Sequence, residues 1–234
     1  MSERLLEIII ESLPKIIIPG IMYTIPLTLI SFSLGLILAI LVAVCRVMKI
    51  HVLSQFFRFY VWVFRGTPML VQLFIIFYGL PNIGLNIPAF PSAVIAFSLN
   101  VGAYASETIR GAILSVPRSQ EEGAIACGLT SWQAMYHVIL PQAIKACVPA
   151  LFNTFISLVK DTSLAANITI TEMFMATQRI VAFTYEPLAL YIEVAIIYLI
   201  FSTGLTSLQR YTEKRLNNKT VNAKAQPAWE TRGF

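Results

Sequence analysis

Residues 160 to 163, Lys-Asp-Thr-Ser, put two opposite charges and two hydroxyls on consecutive positions of an otherwise apolar stretch. Lys160, Asp161, Thr162 and Ser163 together could grip a zwitterion, the acid holding an ammonium group and the cation a carboxylate. The same residues could equally form a structural ion pair that orients a helix. Asn100, Tyr104 and Glu107 are spaced about one turn apart, so on a helix they share one face, and that face could line the same route. Arg65 and Pro68, in "RGTP", join a cation to a chain breaker, which suits either a plain charged anchor beside a kink or part of a gate.

Other chemistry fails at its usual checkpoints. "GAIACGLT", residues 123 to 130, has the glycine spacing of a phosphate-binding loop, but Leu129 stands where the lysine belongs and no strand precedes it. His51 and His137 are too few and too separated for a metal site. Cys45, Cys127 and Cys147 are isolated and odd in number, which argues for packing roles rather than a disulfide framework or zinc spacing. Neither a metal nor a cofactor is expected in this chain.

The elements that must position these residues follow from composition. The chain is 57% hydrophobic and 12% charged, where an ordinary soluble domain carries about 25% charge. No Asp, Glu, Lys or Arg lies between Ile16 and Cys45, or between Gly66 and Ser106. Each window exceeds the roughly 20 apolar residues that cross a bilayer core. Backbone amides in lipid must be bonded within the chain, and continuous rather than alternating apolar runs favour helices over a barrel. The expectation is an all-α integral membrane protein with about five transmembrane helices: roughly 20 to 45, 57 to 79, 89 to 112, 147 to 167 and 186 to 209. "GLPNIGLNIPAFP" is the turn between the second and third.

Arg46, Lys49 and Arg58, then Arg110, Arg118 and Lys145, then Arg210, Lys214 and Arg215 mark three basic connections. By the positive-inside rule these face the cytoplasm, so the N-terminus is expected outside and the C-terminus inside. The net charge of +5 is therefore a topology signal and gives no reason to expect nucleic acid as a partner. Glu3, Glu7 and Glu11 argue against a secretory signal. Leu5, Ile8, Ile9, Ser12 and Ile16 suggest that residues 1 to 19 form an amphipathic helix on the outer interface, the other reading being an extension of the first span. Residues 216 to 234 form a polar tail that reads as disordered.

One stretch, "EEGAIACGLTSWQAMYHVILP" at 121 to 141, is punctuated and partly polar. Pro117 closes the extension of the third span, and a short helix then begins with acids near its start. Gly128 can supply a left-handed turn. Thr130 or Ser131 can cap a second short helix, whose Trp132, Met135, Tyr136 and Ile139 recur at helical period before Pro141 breaks it. By spacing it is either an interfacial connector or a docking element for a soluble partner.

That stretch resembles the EAA loop of bacterial ABC importer permeases: Glu122, Ala124, Gly128, Ile139 and Pro141 match, Leu140 precedes the proline, and Gly123 replaces the first alanine. "RGTPMLVQLF", "NVGAYASETIRGAILSVPRSQ" and "LPQAIKACVPALFNTFISLVKDTSLA" are similar to the polar amino-acid uptake permeases, the histidine/glutamate/glutamine/arginine type. The likeness covers about residues 20 to 215. Within the type, "FPSAVIAFSLNVGAYASE" with "NTFISLVKDTSLA" looks most like the L-cystine importers.

The resemblance implies a type I ABC importer in a bacterial cell membrane. Its parts would be two permease chains, a cytosolic ATPase dimer that carries ATP and Mg, and an extracytoplasmic substrate-binding protein. This chain would be the non-enzymatic transmembrane subunit, with a transmembrane domain over 20 to 215 and a coupling loop over about 117 to 145. A homodimer is the default expectation and a heterodimer the variant. Glu122, Gly123, Ala124, Gly128, Ile139, Leu140 and Pro141 would couple the ATPase to the membrane helices. The competing class is a secondary transporter or channel subunit that needs no ATPase, against which the spans show no obvious inverted repeat.

Overall fold

The computed structural model describes residues 3–225, with side chains through Arg215. The described residues are helical with short turns, and none is in a strand. In chain order the helices are α1 (Glu3–Pro19), α2 (Ile25–Val47), α3 (His51–Gly66), α4 (Met69–Phe74), α5 (Ala89–Ser115), α6 (Arg118–Ala126), α7 (Ser131–Ala134), α8 (Leu140–Asp161), α9 (Met173–Thr184) and α10 (Pro187–Ala225). Wide turns of five residues, Gly20–Thr24 and Met135–Ile139, fuse α1 to α2 and α7 to α8.

Glu3–Val47, Ala89–Ser115, Ser131–Ile168 and Pro187–Arg215 are long and apolar enough to cross a membrane. The pair His51–Gly66 and Met69–Ile83, bent by 109°, makes a fifth crossing if taken together. Four of the five expected spans thus correspond to long apolar helices, and the second corresponds to the bent pair where that pair is one crossing, with three differences in detail.

First, residues 3 to 19 do form a helix, but it runs on into the first span and packs on α9 and α10, where Ser12 Oγ donates to Glu193 Oε2 at 2.6 Å. Second, Pro141 does not end a helix. Leu140 N donates to Met135 O across the wide turn, and Pro141 falls in the first turn of α8, where a missing N–H is tolerated. Third, α10 continues to Ala225, into the stretch expected to be a disordered tail; the rest of that stretch, 226–234, lies outside the described residues.

The core is built on α2 against α5, with α8 laid on α5. Leu27, Ala39, Ala43, Phe97, Ala105 and Ile109 are buried there. Small residues set the approach: a Cβ at Gly102 would lie 2.7 Å from Tyr60 Oη and 2.8 Å from Leu38 Cδ2. Tyr60, on α3, hydrogen-bonds the Leu99 carbonyl of α5. The glycine therefore lets α2 and α3 close on α5 without a clash.

Candidate functional site

The second span breaks at Arg65-Gly66-Thr67-Pro68. Proline lacks an N–H and biases the residue before it towards extended backbone, and Thr67 is extended at φ −120°, ψ 147°. The break strands carbonyls at the end of α3. Gln72, buried in α4, answers them: its Nε2 donates to Phe64 O at 2.8 Å and Thr67 O at 3.0 Å. Its Oε1 accepts from Asn100 Nδ2 at 2.9 Å, which ties the break to α5.

A second break opposes it. Helix α8 stops at Asp161, and Thr162–Ile168 continue as a tighter 3-10 segment that ends at Thr169 in the left-handed conformation. Glu172, fully buried, then caps α9 by accepting from Phe174 N (2.8 Å) and Met175 N (2.7 Å), and Tyr198 of α10 donates to it at 3.0 Å. The two broken segments touch where Tyr78 donates to Asn167 O at 3.0 Å.

Between them lies a cleft of about 480 Å³ that brings Pro68, Asn100, Tyr104 and Asp161 together. Thr67, Asn153, Thr154 and Ser157 complete its polar wall. The Arg65 guanidinium sits 5.4 Å from the centre of the Tyr104 ring, so the cation stands over one of the two aromatic side chains, Phe97 and Tyr104, that line the cleft. Unwound backbone where two broken helices meet is a usual setting for a polar solute in a membrane protein.

The seven expected pathway residues do not form one site. Asn100, Tyr104 and Asp161 line the cleft, but Lys160 and Ser163 face a different, mostly apolar groove of about 720 Å³ bounded by Tyr191, Tyr198 and Leu199. Consecutive helix residues point about 100° apart, which is why Lys160 and Asp161 part company. Thr162 is buried and donates to Val159 O at 2.7 Å. Glu107 is drawn away by Arg46 of α2 and by Arg110, whose Nη2 lies 2.9 Å from Oε2. That triad clamps α2 to α5.

The sequence reading missed Asn153, Ser157 and Gln72. The first two had a signal: with Asp161 they recur every four residues, one polar stripe along an apolar helix. Gln72 had none, because its role depends on the break beside it.

The hinged loop is the other candidate region. Gly128 has φ +87°, Gly128 N donates to Ile125 O at 2.9 Å and Leu129 N to Ala124 O at 3.2 Å, a Schellman closure of α6. Thr130 then caps α7 reciprocally: its Oγ1 accepts from Gln133 N at 3.3 Å, and its N donates to Gln133 Oε1 at 2.9 Å. Ala124, Ile139 and Leu140 are buried against the bundle, while Glu122, Gly123 and Pro141 are exposed. Glu121 and Glu122 line a cavity of about 620 Å³ behind the loop, with Lys49 and Arg118. A Cβ at Gly123 would meet nothing within 4 Å, so within this chain no close contact requires the glycine.

A family model described as "Binding-protein-dependent transport system inner membrane component" matches residues 34–218. The L-cystine transport system permease protein TcyB of Bacillus subtilis is 50% identical over 212 residues, 90% of this chain and 91% of that one. The probable amino-acid ABC transporter permease protein PatM of Vibrio harveyi is 41% identical over 190 residues, 80% and 85% of the two chains. Among solved structures, an amino acid ABC transporter crystallised with histidines superposes with a TM-score of 0.83 at 34% identity, covering 92% of this chain and all of that one. The MetNI methionine ABC transporter matches in fold, with a TM-score of 0.71 at 18% identity and coverage of 92% and 99%.

Proposed function

Because the chain belongs to the family of binding-protein-dependent transport system inner membrane components, and is an amino-acid ABC importer permease by its relatives, we propose that it carries L-cystine across the cell membrane. It works as a pair of identical chains. An extracytoplasmic binding protein delivers the substrate, and a cytosolic ATPase dimer holds ATP and Mg. The basic end of the bundle faces the cytoplasm, and the N-terminus lies outside. The observation that carries the substrate is the 50% identity to an L-cystine permease across nine-tenths of both chains.

The polar cleft is the route. Asp161 meets an α-ammonium group of the substrate, while the amide of Asn100 and the hydroxyls of Ser157 and Thr154 hydrogen-bond its carboxylates. Tyr104 and Pro68 supply apolar walls, and Arg65 acts as a gate that opens when it leaves the Tyr104 ring. Cystine carries two ammonium and two carboxylate groups on a disulfide. A cleft with one acid, several neutral donors and apolar walls suits one end of such a molecule at a time.

The hinged loop is the coupling element. Its exposed Glu122 and Gly123, followed by the rigid Gly128 turn, present a short helix to the ATPase, and buried Ile139 and Leu140 hold its return to α8. Nucleotide-driven closure then moves the loop and the long Ser131–Ile168 element as one body, which carries the motion to Asp161.

Uptake competition in vesicles reconstituted with the ATPase and binding protein tests the substrate. Unlabelled cystine should suppress labelled cystine more than arginine, glutamine, glutamate or histidine does; a stronger effect from any of the four would transfer the assignment to it. Uptake that continues without ATP would overturn the coupling. Asp161→Asn should lower the initial uptake rate by about 10- to 100-fold, the cost of losing one charged hydrogen bond, with ATPase co-purification unchanged.

A further inference from the structure

Lys160 and Asp161 are the last two residues of α8. Gln209 of α10, beside Arg210, donates at 3.3 Å to Pro149 O, midway along α8. Lys160 is about three turns, or about 16 Å, further along at 1.5 Å per residue. Both residues fall within Ser131–Ile168, an element long and apolar enough to cross a membrane.

Both side chains are nevertheless exposed on this chain. The ion pairs among the described residues are Lys15–Glu11, Arg46–Glu107 and Arg110–Glu107, and neither Lys160 nor Asp161 takes part in one. A charge in that position must face water or an opposite charge, since exposure to lipid is costly. Asp161 has the cleft. Lys160 has a groove whose lining is largely apolar, and among the described residues it makes no ion pair, the neighbouring Asp161 carboxylate being turned into the cleft.

The pattern is self-complementary. In a two-fold contact the same patch meets itself, so residue i touches j and j touches i. A lysine followed directly by an aspartate on one helix satisfies that rule: half a turn about an axis between two α8 helices sets each ammonium against the other copy's carboxylate.

We propose that a second copy of this chain covers this face, with Lys160 of the partner subunit paired to Asp161, so that each polar cleft is closed by a cation from the other copy. The inference rests on the homodimer reading above and deepens it, because each cleft is incomplete in one chain. The partner subunit's Lys160 supplies the cation that the cleft wall lacks, and a substrate carboxylate would compete with Asp161 for it. The apolar groove around Lys160 is then interface rather than a separate ligand site.

The test uses two differently tagged copies expressed together with the ATPase. Wild-type copies should co-purify; if they do not, the homodimer reading fails and this proposal with it. Lys160→Asp paired with itself, and Asp161→Lys paired with itself, set like charges across the axis and should co-purify more than about tenfold less well. The mixed pair, Lys160→Asp with Asp161→Lys, restores two opposite-charge contacts and should return to near the wild-type yield. If wild-type copies associate but the mixed pair does no better than the like-charged pairs, the pairing is overturned while the homodimer stands.

A measurement on the wild-type complex guards against variants that fail to fold. Copies labelled with light and heavy nitrogen are mixed and treated with dicyclohexylcarbodiimide, which joins a neighbouring amine and carboxyl as an amide. A light–heavy peptide linking Lys160 to Asp161 is the expected product. In dimers isolated through two tags so that each holds one light and one heavy copy, only light–light and heavy–heavy products would refute the contact.

Discussion

In the hinged loop, the bonds that shape the turn join near neighbours, Leu129 to Ala124, Gly128 to Ile125, Thr130 to Gln133 and back, and one longer bond, from Gln142 Nε2 to Gln120 Oε1 at 3.3 Å, ties its two ends. In the polar cleft the defining bonds and walls come from far apart in the chain, with Gln72 of α4 on Asn100 of α5, Asp161 of α8 across from Pro68, and Tyr78 on Asn167. The loop can hold its shape as a local unit, which suits the coupling role proposed for it. The cleft exists only while two broken helices are held against each other, so small shifts between helices change it. A transporter needs both properties, a stiff input and a deformable site.

Four substitutions would break or sharpen that contrast. Gln72→Leu should have the largest effect. It leaves the Phe64 and Thr67 carbonyls and the Asn100 amide without their partner, at about 1–3 kcal/mol for a buried unsatisfied group. Thermal unfolding of the purified complex should move down and uptake should fall with it. If stability is kept, Gln72 does not hold the break.

Gly128→Val comes next, because a β-branched residue at φ +87° costs about 1–2 kcal/mol. The damage should stay local: ATPase co-purification and ATP-driven uptake fall, while the melting midpoint changes less than for Gln72→Leu. Equal losses of stability in the two variants would erase the distinction between a local loop and a non-local cleft.

Thr130→Ala removes one capping bond at an exposed helix start and should cost about 1 kcal/mol. Amide hydrogen exchange should speed up in α7 and leave α4 and α5 untouched. Protection lost in α4 as well would mean that the loop and the cleft share one cooperative unit.

Gly123→Ala should have the smallest effect and the opposite sign. A methyl group there meets nothing in this chain, so the helix should gain up to about 1 kcal/mol. Uptake should be unchanged. A loss of ATPase co-purification would locate a close partner contact at Gly123 that this chain does not itself show.

Much of this was legible in residue order, and the pattern of what was not is instructive. The apolar windows at 16 to 45 and 66 to 106 fixed the first three spans, and Gly128 with Thr130 marked the hinge. Hydrophobic length and turn chemistry are local properties, so a linear reading can find them. Pro141 misled because proline is a helix breaker in general but is tolerated in a first turn, and the wide turn that creates such a position is not written in a short motif. Lys160 and Asp161 looked like one cluster because adjacency in sequence is not adjacency on a helix.

What the sequence by itself determined is therefore the membrane class, the four long apolar spans with the bent pair between the first two, the hinged loop and the polar residue types available between the helices. Each follows from propensities and hydrophobicity that act within a few residues. Only the tertiary structure decided that Asn100, Tyr104 and Asp161 share a cleft, that Glu107 belongs instead to Arg46 and Arg110, and that Lys160 turns away. Those outcomes depend on how helices are rotated about their axes and pressed together, and the close approach at Gly102 and the Gln72 bridge set that rotation through contacts between distant parts of the chain.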